Sequence, residues 1–402
     1  MRISTAQIYR QNTGSITRNQ QQSQEIIDKL SSGKRVNTGG DDPVAAIGID
    51  NLNQQNALIK QYLKNIDYTK NRLAVTESKL GDAESITMSM RDRLLAAANG
   101  TLSTDERQGI ADELKASLEE MQSIANYQDE SGNYLFSGTN LETRPFDFNN
   151  SSEIVYRGNN NVRQAIVADG VLMDTSVSGD VAFMAAPNAL GDYSVNYSST
   201  QTGDLTIENA AISDQASYIE DTYSFSFTDN GSGGVDLTVT DSSGATVQTT
   251  PNFDPSNPIT FNGIEVSFDG TPKAGDSLTI EPNATNSIFD TVQEAIALFE
   301  NGDEINSAAG RSKLAQLLNN FDSGVDQIRL ARGIAGNNLK AVESYANNHS
   351  NTELVNNSAV SVLEDLDYAA AVTEFEKQQL ALNAASNLFG RVSSVSLFDY
   401  LR

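Results

Sequence analysis

The sequence contains no cysteine, no tryptophan and a single histidine, His349. Without thiols the chain can form neither disulfides nor zinc–thiolate sites, and it has no cysteine nucleophile. One histidine cannot supply a two-histidine zinc site, and its polar neighbours predict a surface side chain rather than a ligand. The composition therefore points away from catalysis, and we expect no catalytic residue, no cofactor and no metal.

Basic residues are also scarce, because 27 lysines and arginines face 53 aspartates and glutamates and leave a net charge of −26. A surface this acidic repels nucleic-acid phosphates and anionic membranes, so we expect neither as a partner. The sequence lacks an apolar run of the ~20 residues that span a bilayer, and near Met1 it lacks the apolar stretch of a cleavable signal peptide. The chain is expected to be either cytoplasmic or exported by a route that reads no such peptide.

Proline is nearly absent from the N-terminal part of the chain, where Pro43 is the only proline before residue 145. In the same part of the chain, apolar residues recur at intervals of seven. The recurring positions are Leu52, Ile59, Ile66, Leu73 and Leu80. This spacing predicts one long helix with a coiled-coil-like seam. The seam fits the core of an intramolecular bundle, and it also fits a self-assembly surface that only neighbouring subunits cover completely.

The middle of the chain changes to a period of two, the spacing of β-strands. Tyr223, Phe225 and Phe227 alternate with polar residues before a turn at Asp229, which predicts a β-hairpin. Between residues 160 and 289 there are 17 acidic residues against two basic ones, which predicts a solvated outer domain. Helical spacing returns from Asn286 onward.

Near the end of the chain a second set of apolar residues is again seven apart. Its members are Tyr368, Phe375, Leu382 and Phe389. Helices at both ends most simply pack together around the β insert. The predicted fold class is α+β, an elongated molecule in which N- and C-terminal helices form a coiled-coil-like bundle with an inserted β-rich domain.

Three short motifs have a chemical and a structural interpretation. Gly33 and Lys34 lack the spacing of a phosphate loop. Asp229 and the Asn-Gly after it lack the alternating ligands of a calcium loop, so a turn is expected. Asp41 and Asp42 have two interpretations: a pair of carboxylates for acid/base chemistry, or the start of a helix. We favour the helix start, because Pro43 follows them.

Two short segments follow each other closely near the N-terminus: Leu30-Ser-Ser-Gly-Lys-Arg-Val-Asn37 and Asp41-Asp-Pro-Val-Ala-Ala46. Together they resemble the N-terminal signature of the bacterial flagellin superfamily. Three details resemble the hook–filament junction branch rather than flagellin proper. They are the start Met1-Arg-Ile-Ser-Thr5, the turns Asn133-Tyr-Leu-Phe-Ser-Gly138 and Thr143-Arg-Pro-Phe146, and the ending Ser396-Leu-Phe-Asp-Tyr-Leu401.

This resemblance implies a structural adaptor outside the cell, at the hook–filament junction of the flagellum. Such a subunit is secreted unfolded through the flagellar type III apparatus, is a monomer in solution and assembles as a ring. The implied partners are other copies of the chain, hook-associated protein 1, flagellin and a flagellar export chaperone. From their spacing of seven, two sets of apolar residues are predicted to be partly buried within the subunit and completed by neighbouring subunits. They are Leu52, Ile59, Ile66, Leu73 and Leu80, and Tyr368, Phe375, Leu382 and Phe389.

The resemblance also implies a division of the chain into five parts. Two assembly segments, disordered in the monomer, would be residues 1–45 and 361–402. The two halves of a helical rod would be residues 46–135 and 287–360. The β-rich insert, with one or two subdomains, would be residues 136–286.

Three alternative functions remain at this point: a flagellin filament subunit, a secreted carbohydrate-active enzyme with paired carboxylates, and a cytoplasmic coiled-coil scaffold.

Overall fold

The computed structural model describes residues 5–98, 102–301 and 304–394 of the chain. Within these ranges the α-helices are α1 Thr5–Ser32, α2 Pro43–Ala97, α3 Thr104–Ala125, α4 Ile288–Glu300, α5 Ala308–Glu364 and α6 Tyr368–Ser394. All strands lie between α3 and α4, so helices from both ends of the chain flank a β-rich insert. The predicted fold class is confirmed in this respect.

The strands are short and, apart from one isolated bridge, pair antiparallel. They are β1 Phe146–Phe148, β2 Ile154–Tyr156, β3 Gln164–Ala168, β4 Val171–Asp174, β5 Ala186–Pro187, β6 Tyr193–Tyr197, β7 Thr206–Ile212, β8 Tyr223–Asp229, β9 Val235–Thr240, β10 Thr246–Thr250, β11 Ile259–Phe261, β12 Ile264–Asp269, β13 Ser277–Pro282 and β14 Thr285–Asn286. The predicted hairpin is β8 and β9, in which Phe225 lies opposite Val239 and Phe227 opposite Leu237.

The chain divides into two compact units. Unit 1 combines residues 1–64 with residues 344–402, and unit 2 is residues 65–343. The five-part division expected from the resemblance concerns which segments are ordered in the free monomer and in the assembly, so it stays a prediction.

Unit 2 contains a β-sandwich with one shared core. A five-stranded sheet of order β10-β9-β8-β13-β6 and a three-stranded sheet of order β11-β12-β7 contribute apolar side chains to the same cluster. Aromatic rings join the two sheets: the ring of Phe261 lies 4.9 Å from that of Tyr223, and Phe268 lies 6.0 Å from Phe225. The alternation that predicted these strands thus corresponds to one buried face on each sheet.

A second apolar cluster in unit 2 holds the short strands before the sandwich. Phe146 on β1 packs against Phe183, in a π-helical turn at Asp180–Met184, and against Phe289 on α4, with ring centroids 5.5 and 5.1 Å away. Phe136, from the Tyr-Leu-Phe motif, packs edge-on against Phe183 at 5.4 Å and is fully buried. The motif therefore anchors the loop after α3 to the β-rich insert.

A capping box begins α3. The Ser103 hydroxyl accepts a hydrogen bond from the Glu106 amide, and the Glu106 carboxylate accepts one from the Ser103 amide at 2.8 Å. These reciprocal bonds satisfy amide groups that would otherwise lack a partner at the helix start.

Ion pairs join α2 to α5 in unit 2 at intervals close to one heptad. They link Lys70 to Glu343, Glu77 to Arg332, Glu84 to Arg329 and Arg332, and Arg91 to Asp322, with N–O distances of 2.5–3.1 Å. The partner in α5 moves toward lower numbers as α2 advances, so the helices run antiparallel. Ion pairs at the surface contribute only about 0–1 kcal/mol each, so this ladder defines the helix register more than it adds stability.

Fewer apolar side chains are buried in unit 1 among the described residues. One buried cluster of this unit consists of Val36, Ala45 and Ile49, with Val360 and Leu363 of α5 packed against it. Helix α1 pairs with α6, where the Tyr9 and Phe389 rings are 4.9 Å apart. None of the helices described in either unit carries an apolar stretch long enough to cross a membrane.

We expect Leu73→Ala to lower the free energy of unfolding of unit 2 by about 2–5 kcal/mol, because the side chain is 0% exposed and its removal leaves a cavity. Leu95→Ala, on the same helix but 44% exposed, should change it by less than about 0.5 kcal/mol. Urea unfolding followed by far-UV circular dichroism measures both variants. Equal losses would contradict a core at Leu73.

A pH-dependent contribution is expected from Asp290 in the first turn of α4. Burial, and then the negative charges of Glu294 and Glu153, raise the pKa of its carboxyl from 3.8 to about 6. Because the folded-state pKa lies above the ordinary value, folding takes up a proton, and the ionised form reduces stability as the pH rises from about 4 through 6.

Asp290→Asn resembles the neutral carboxyl, so we expect it to raise the urea midpoint of unit 2 at about pH 7.5 and to leave it nearly unchanged below about pH 4. Midpoints measured across this pH range for both proteins test the expectation. A midpoint difference that does not vary with pH would show that Asp290 does not titrate in this way.

Candidate assembly surfaces

The signature segment after α1 closes unit 1 by binding the end of α5. Gly33 ends α1 with φ +71°, and its carbonyl accepts a hydrogen bond from the Leu366 amide at 3.0 Å. The Arg35 amide donates to the Glu364 carbonyl, and the Lys34 ammonium pairs with the Glu364 carboxylate at 2.5 Å. Gly33 and Lys34 thus belong to a structural turn that ties the two ends of the chain together.

Asp41 and Asp42 begin α2, as the favoured interpretation predicts. The Asp42 carboxylate accepts a hydrogen bond from the Ala45 amide at 3.0 Å, which caps the helix. The Asp41 carboxylate accepts from the amides of Thr38 and Asn37, and these bonds, with that from Thr38 foremost, lower the pKa of Asp41 to about 2. Both carboxylates have structural partners, so the acid/base interpretation is not supported.

The N-terminal set of predicted contact residues divides into two groups. Ile66, Leu73 and Leu80 are completely buried inside unit 2, and Ile59 is nearly so in unit 1. They form part of the core of the subunit, and a role for them as contacts between subunits stays a prediction. Leu52 is half-buried, so it alone of this set keeps surface for a partner.

The C-terminal set lies on α6, which is confirmed as a helix. Tyr368 is 54% exposed, and Phe375, Leu382 and Phe389 are half-buried. Phe389 contacts Tyr9 of α1 through its ring. Their use as contacts between subunits stays a prediction. The motif residues Met1–Ser4 and Ser396–Leu401 lie outside the described residues.

Unit 1 exposes a set of large apolar side chains that the spacing of seven does not identify. Among the described residues, more than half of the exposed large apolar side chains fall in this unit, which contains less than a third of the chain. They are Tyr9, Ile27, Val44, Ile47, Leu58, Leu354, Val355, Val362, Tyr368, Val372, Leu380 and Leu388. Apolar residues outside the core positions of a helix were the available sequence signal. Their concentration makes unit 1 the candidate interaction surface.

The seam of unit 1 also contains a polar layer. Asn56 of α2 is buried and exchanges side-chain hydrogen bonds with Asn356 and Asn357 of α5, at 3.0 and 2.9 Å. Buried asparagines in helical seams fix register at some cost in stability. His349, predicted to lie on the surface, is half-buried and stacks on Tyr62 with centroids 5.4 Å apart. Across the described residues there is no cluster of three metal-ligating side chains.

Both helical ends of the chain match family models of known proteins. Residues 3–141 match the bacterial flagellin N-terminal helical region, and residues 318–401 match the bacterial flagellin C-terminal helical region. The two matches lie on the helices that carry the signature turn and the exposed apolar surface. The chain belongs to the bacterial flagellin superfamily.

Within this superfamily the chain is most usefully compared with the junction proteins. The flagellar junction protein FlgL from Legionella pneumophila is 27% identical with a TM-score of 0.68, and the match covers 79% of this chain and 100% of that one. Flagellar hook-associated protein 3 from Salmonella typhimurium is 34% identical over 147 residues, which are 37% of this chain and 46% of that protein. The sequence match thus spans about half the length of that relative.

Flagellins are similar over a longer stretch but at lower identity. Flagellin B from Vibrio anguillarum is 24% identical over 390 residues, 96% of this chain and 93% of that protein. The chain therefore has the fold of the hook–filament junction proteins and is similar in sequence both to hook-associated protein 3 and, more distantly, to flagellin.

Replacing Gly33 by alanine should disrupt the signature turn, because φ at this position is +71° and a Cβ would lie 2.7 Å from the Tyr368 hydroxyl. The left-handed conformation costs about 1–2 kcal/mol for a residue with a side chain, so the Leu366 amide should exchange roughly 5–30 times faster. Hydrogen exchange of this amide, which donates to the Gly33 carbonyl, is measured in the assembled state, where residues 1–45 and 361–402 are expected to be ordered.

Gly39→Ala is the matched control, since Gly39 lies in the same segment with open space around it. Exchange at Leu366 should remain as in the unchanged protein. An equal effect of the two substitutions would contradict a specific requirement for glycine at position 33.

Proposed function

We propose that this chain is a structural subunit of the bacterial flagellum that joins the hook to the flagellin filament. The family matches at both ends and the similarity to a junction protein over that protein's full length support this assignment. The observation that carries it is the exposed apolar surface of unit 1, since that unit is built from the same two chain ends.

The proposed mechanism is folding coupled to assembly. Ordering a free segment costs about 1–2 kcal/mol per residue, whereas apolar surface gains about 25 cal/mol for each Å² removed from water. The cluster of Val36, Ala45 and Ile49 is small, and many large apolar side chains of unit 1 are exposed. Residues 1–45 and 361–402 would then become ordered only when neighbouring subunits cover the exposed side chains of unit 1.

The partners in this proposal are other copies of the chain in a ring, hook-associated protein 1 on the hook side and flagellin on the filament side. A flagellar export chaperone would hold the unfolded chain before secretion through the type III apparatus. The subunit would lie outside the cell, in the flagellum, and would act without catalysis. Leu52, Tyr368, Phe375, Leu382 and Phe389 remain the proposed contacts from the sets spaced by seven.

A flagellin filament subunit is the second candidate, and the match to Flagellin B over nearly the whole chain favours it. The two functions differ in how assembly ends. Purified chain added to hook-basal-body seeds should stop after a ring if it is a junction protein, whereas a filament subunit would continue to polymerise. Electron microscopy of the seeds, followed by addition of flagellin, separates the two.

Deletion of the gene tests the function in the cell. We expect intact hooks, loss of motility and flagellin shed into the medium, because filaments would have no junction on which to grow. Expression of the intact chain should restore filaments. Flagellin retained on the hooks of the deletion strain would contradict the junction function.

Val362→Asp tests the exposed surface of unit 1. Its side chain is 81% exposed, so the substitution should leave the far-UV spectrum and the stability of the free chain nearly unchanged. A charge buried at a contact between subunits is strongly unfavourable, so filaments should not be restored in the deletion strain.

Ile219→Asp is the matched control, since Ile219 is 54% exposed but lies in the β-rich insert of unit 2. We expect filaments in this strain as with the unchanged chain. Full restoration by Val362→Asp would show that its side chain stays in solvent after assembly.

A further inference from the structure

Arg329 of α5 contacts a sulfur atom on the neighbouring helix. Its Nη2 donates a hydrogen bond to the sulfur of Met88 on α2, at 3.7 Å. A thioether sulfur is only a weak acceptor, although the donor here is charged. The contact lies within the ladder of ion pairs that joins α2 to α5, and neither the family matches nor the proposed function gives it a role.

The nitrogens of the Arg329 guanidinium have separate partners. Nε pairs with the Glu84 carboxylate at 2.7 Å and Nη1 with the Asp326 carboxylate at 3.2 Å, while Nη2 contacts Met88. The two carboxylates hold the guanidinium in place from either side of the helix pair. A stronger acceptor at Met88 would therefore gain a good hydrogen bond from Nη2 without taking Arg329 away from Glu84 or Asp326.

Met88 is the most exposed methionine in the part of the chain that the structure describes. It is 41% exposed, whereas Met90 and Met121 are 2% and 0% exposed, and Met173 and Met184 are half-buried. Met88 also lines an open cleft of about 480 Å³ on this side of α2. A small polar oxidant therefore approaches Met88 more easily than the other described methionines.

The sequence contains no thiol that would compete for such an oxidant. Cysteine is absent, so the thioethers of methionine are the only sulfur atoms in the chain. Oxidation converts a thioether into a sulfoxide, which is polar and carries an oxygen that accepts hydrogen bonds. The group that oxidation would create at Met88 is thus the stronger acceptor for which Arg329 has a donor in place.

We propose that Met88 is a site of reversible oxidation by hydrogen peroxide, and that its sulfoxide strengthens the link from α2 to α5 through Arg329. In this step the Met88 sulfur donates an electron pair to one peroxide oxygen, an S–O bond forms and the O–O bond breaks. The proton of the transferred oxygen passes to the leaving oxygen, which departs as water. The sulfur is oxidised and the peroxide is reduced. The inference concerns the free chain and does not rest on the proposed function.

The expected effect on stability has the opposite sign to that of most methionine oxidations. A sulfoxide inside an apolar core disrupts packing, because it is polar. Met88 is already partly in solvent, and a charged donor lies beside its sulfur. Hydrogen bonds from a charged donor are stronger than those between neutral groups, so the new bond to Arg329 should outweigh the small loss of apolar contact.

The first test is limited oxidation of the folded full chain with hydrogen peroxide, followed by mass spectrometry of its peptides. We expect sulfoxide to form at Met88 at least about tenfold faster than at Met90 or Met121, because exposure governs access. Met90 is the matched internal control, since it lies on the same helix. In urea the rates at these positions should become similar. Equal rates in the folded chain, or slower oxidation at Met88, would overturn the site.

The second test measures how the sulfoxide changes stability, by urea unfolding followed by far-UV circular dichroism. Chain oxidised at Met88 but not at Met90 or Met121 should have an unfolding equilibrium constant roughly two- to tenfold lower than the reduced chain. Treatment with methionine sulfoxide reductase should restore the original value. In Arg329→Ala the same oxidation should bring no gain, because the donor is absent. No gain in the unchanged chain, or an equal change in Arg329→Ala, would overturn the link.

Met88→Gln repeats the second test without an oxidant, since its amide oxygen also places a polar acceptor at this position. We expect Met88→Gln to be more stable than Met88→Leu when Arg329 is present, and no more stable when Arg329 is replaced by alanine. Peroxide should leave the stability of Met88→Leu unchanged. A loss of stability in Met88→Leu equal in size to the change in the unchanged chain would show that another methionine is responsible, and would overturn the proposal.

Discussion

Pairing between helices from opposite ends of the chain is the interaction on which the rest of this protein depends. In unit 2 the buried side chains of Leu73 and Leu80 form the seam of α2, and the ion pairs from Lys70 to Arg91 fix its antiparallel register against α5. In unit 1 the signature turn closes the same kind of pairing through Gly33. The β insert lies between these ends in sequence, so its length can vary without disturbing the pairing.

The two units bury very different amounts of apolar surface, and this difference connects the structure to function. Unit 2 has a sandwich core and an aromatic cluster. Unit 1 has a small buried cluster and exposes apolar residues such as Val44 and Val362. In the proposed function, neighbouring subunits cover these exposed side chains.

Much of this could be predicted from periodicity. The interval of seven located α2 and α6, and the period of two located β8 and β9. The same interval did not distinguish core from contact surface, because Ile66 and Leu52 differ only in which residues of other helices cover them.

Hydrogen exchange of the full chain, free and assembled on hook seeds, measures the central claim most directly. Amides of α1 and α6 should exchange rapidly in the free chain and slowly after assembly, while amides of β8 and β13 should be protected in both states. Equal protection of α1 and α6 in the free and assembled chain would contradict an account in which neighbouring subunits complete unit 1.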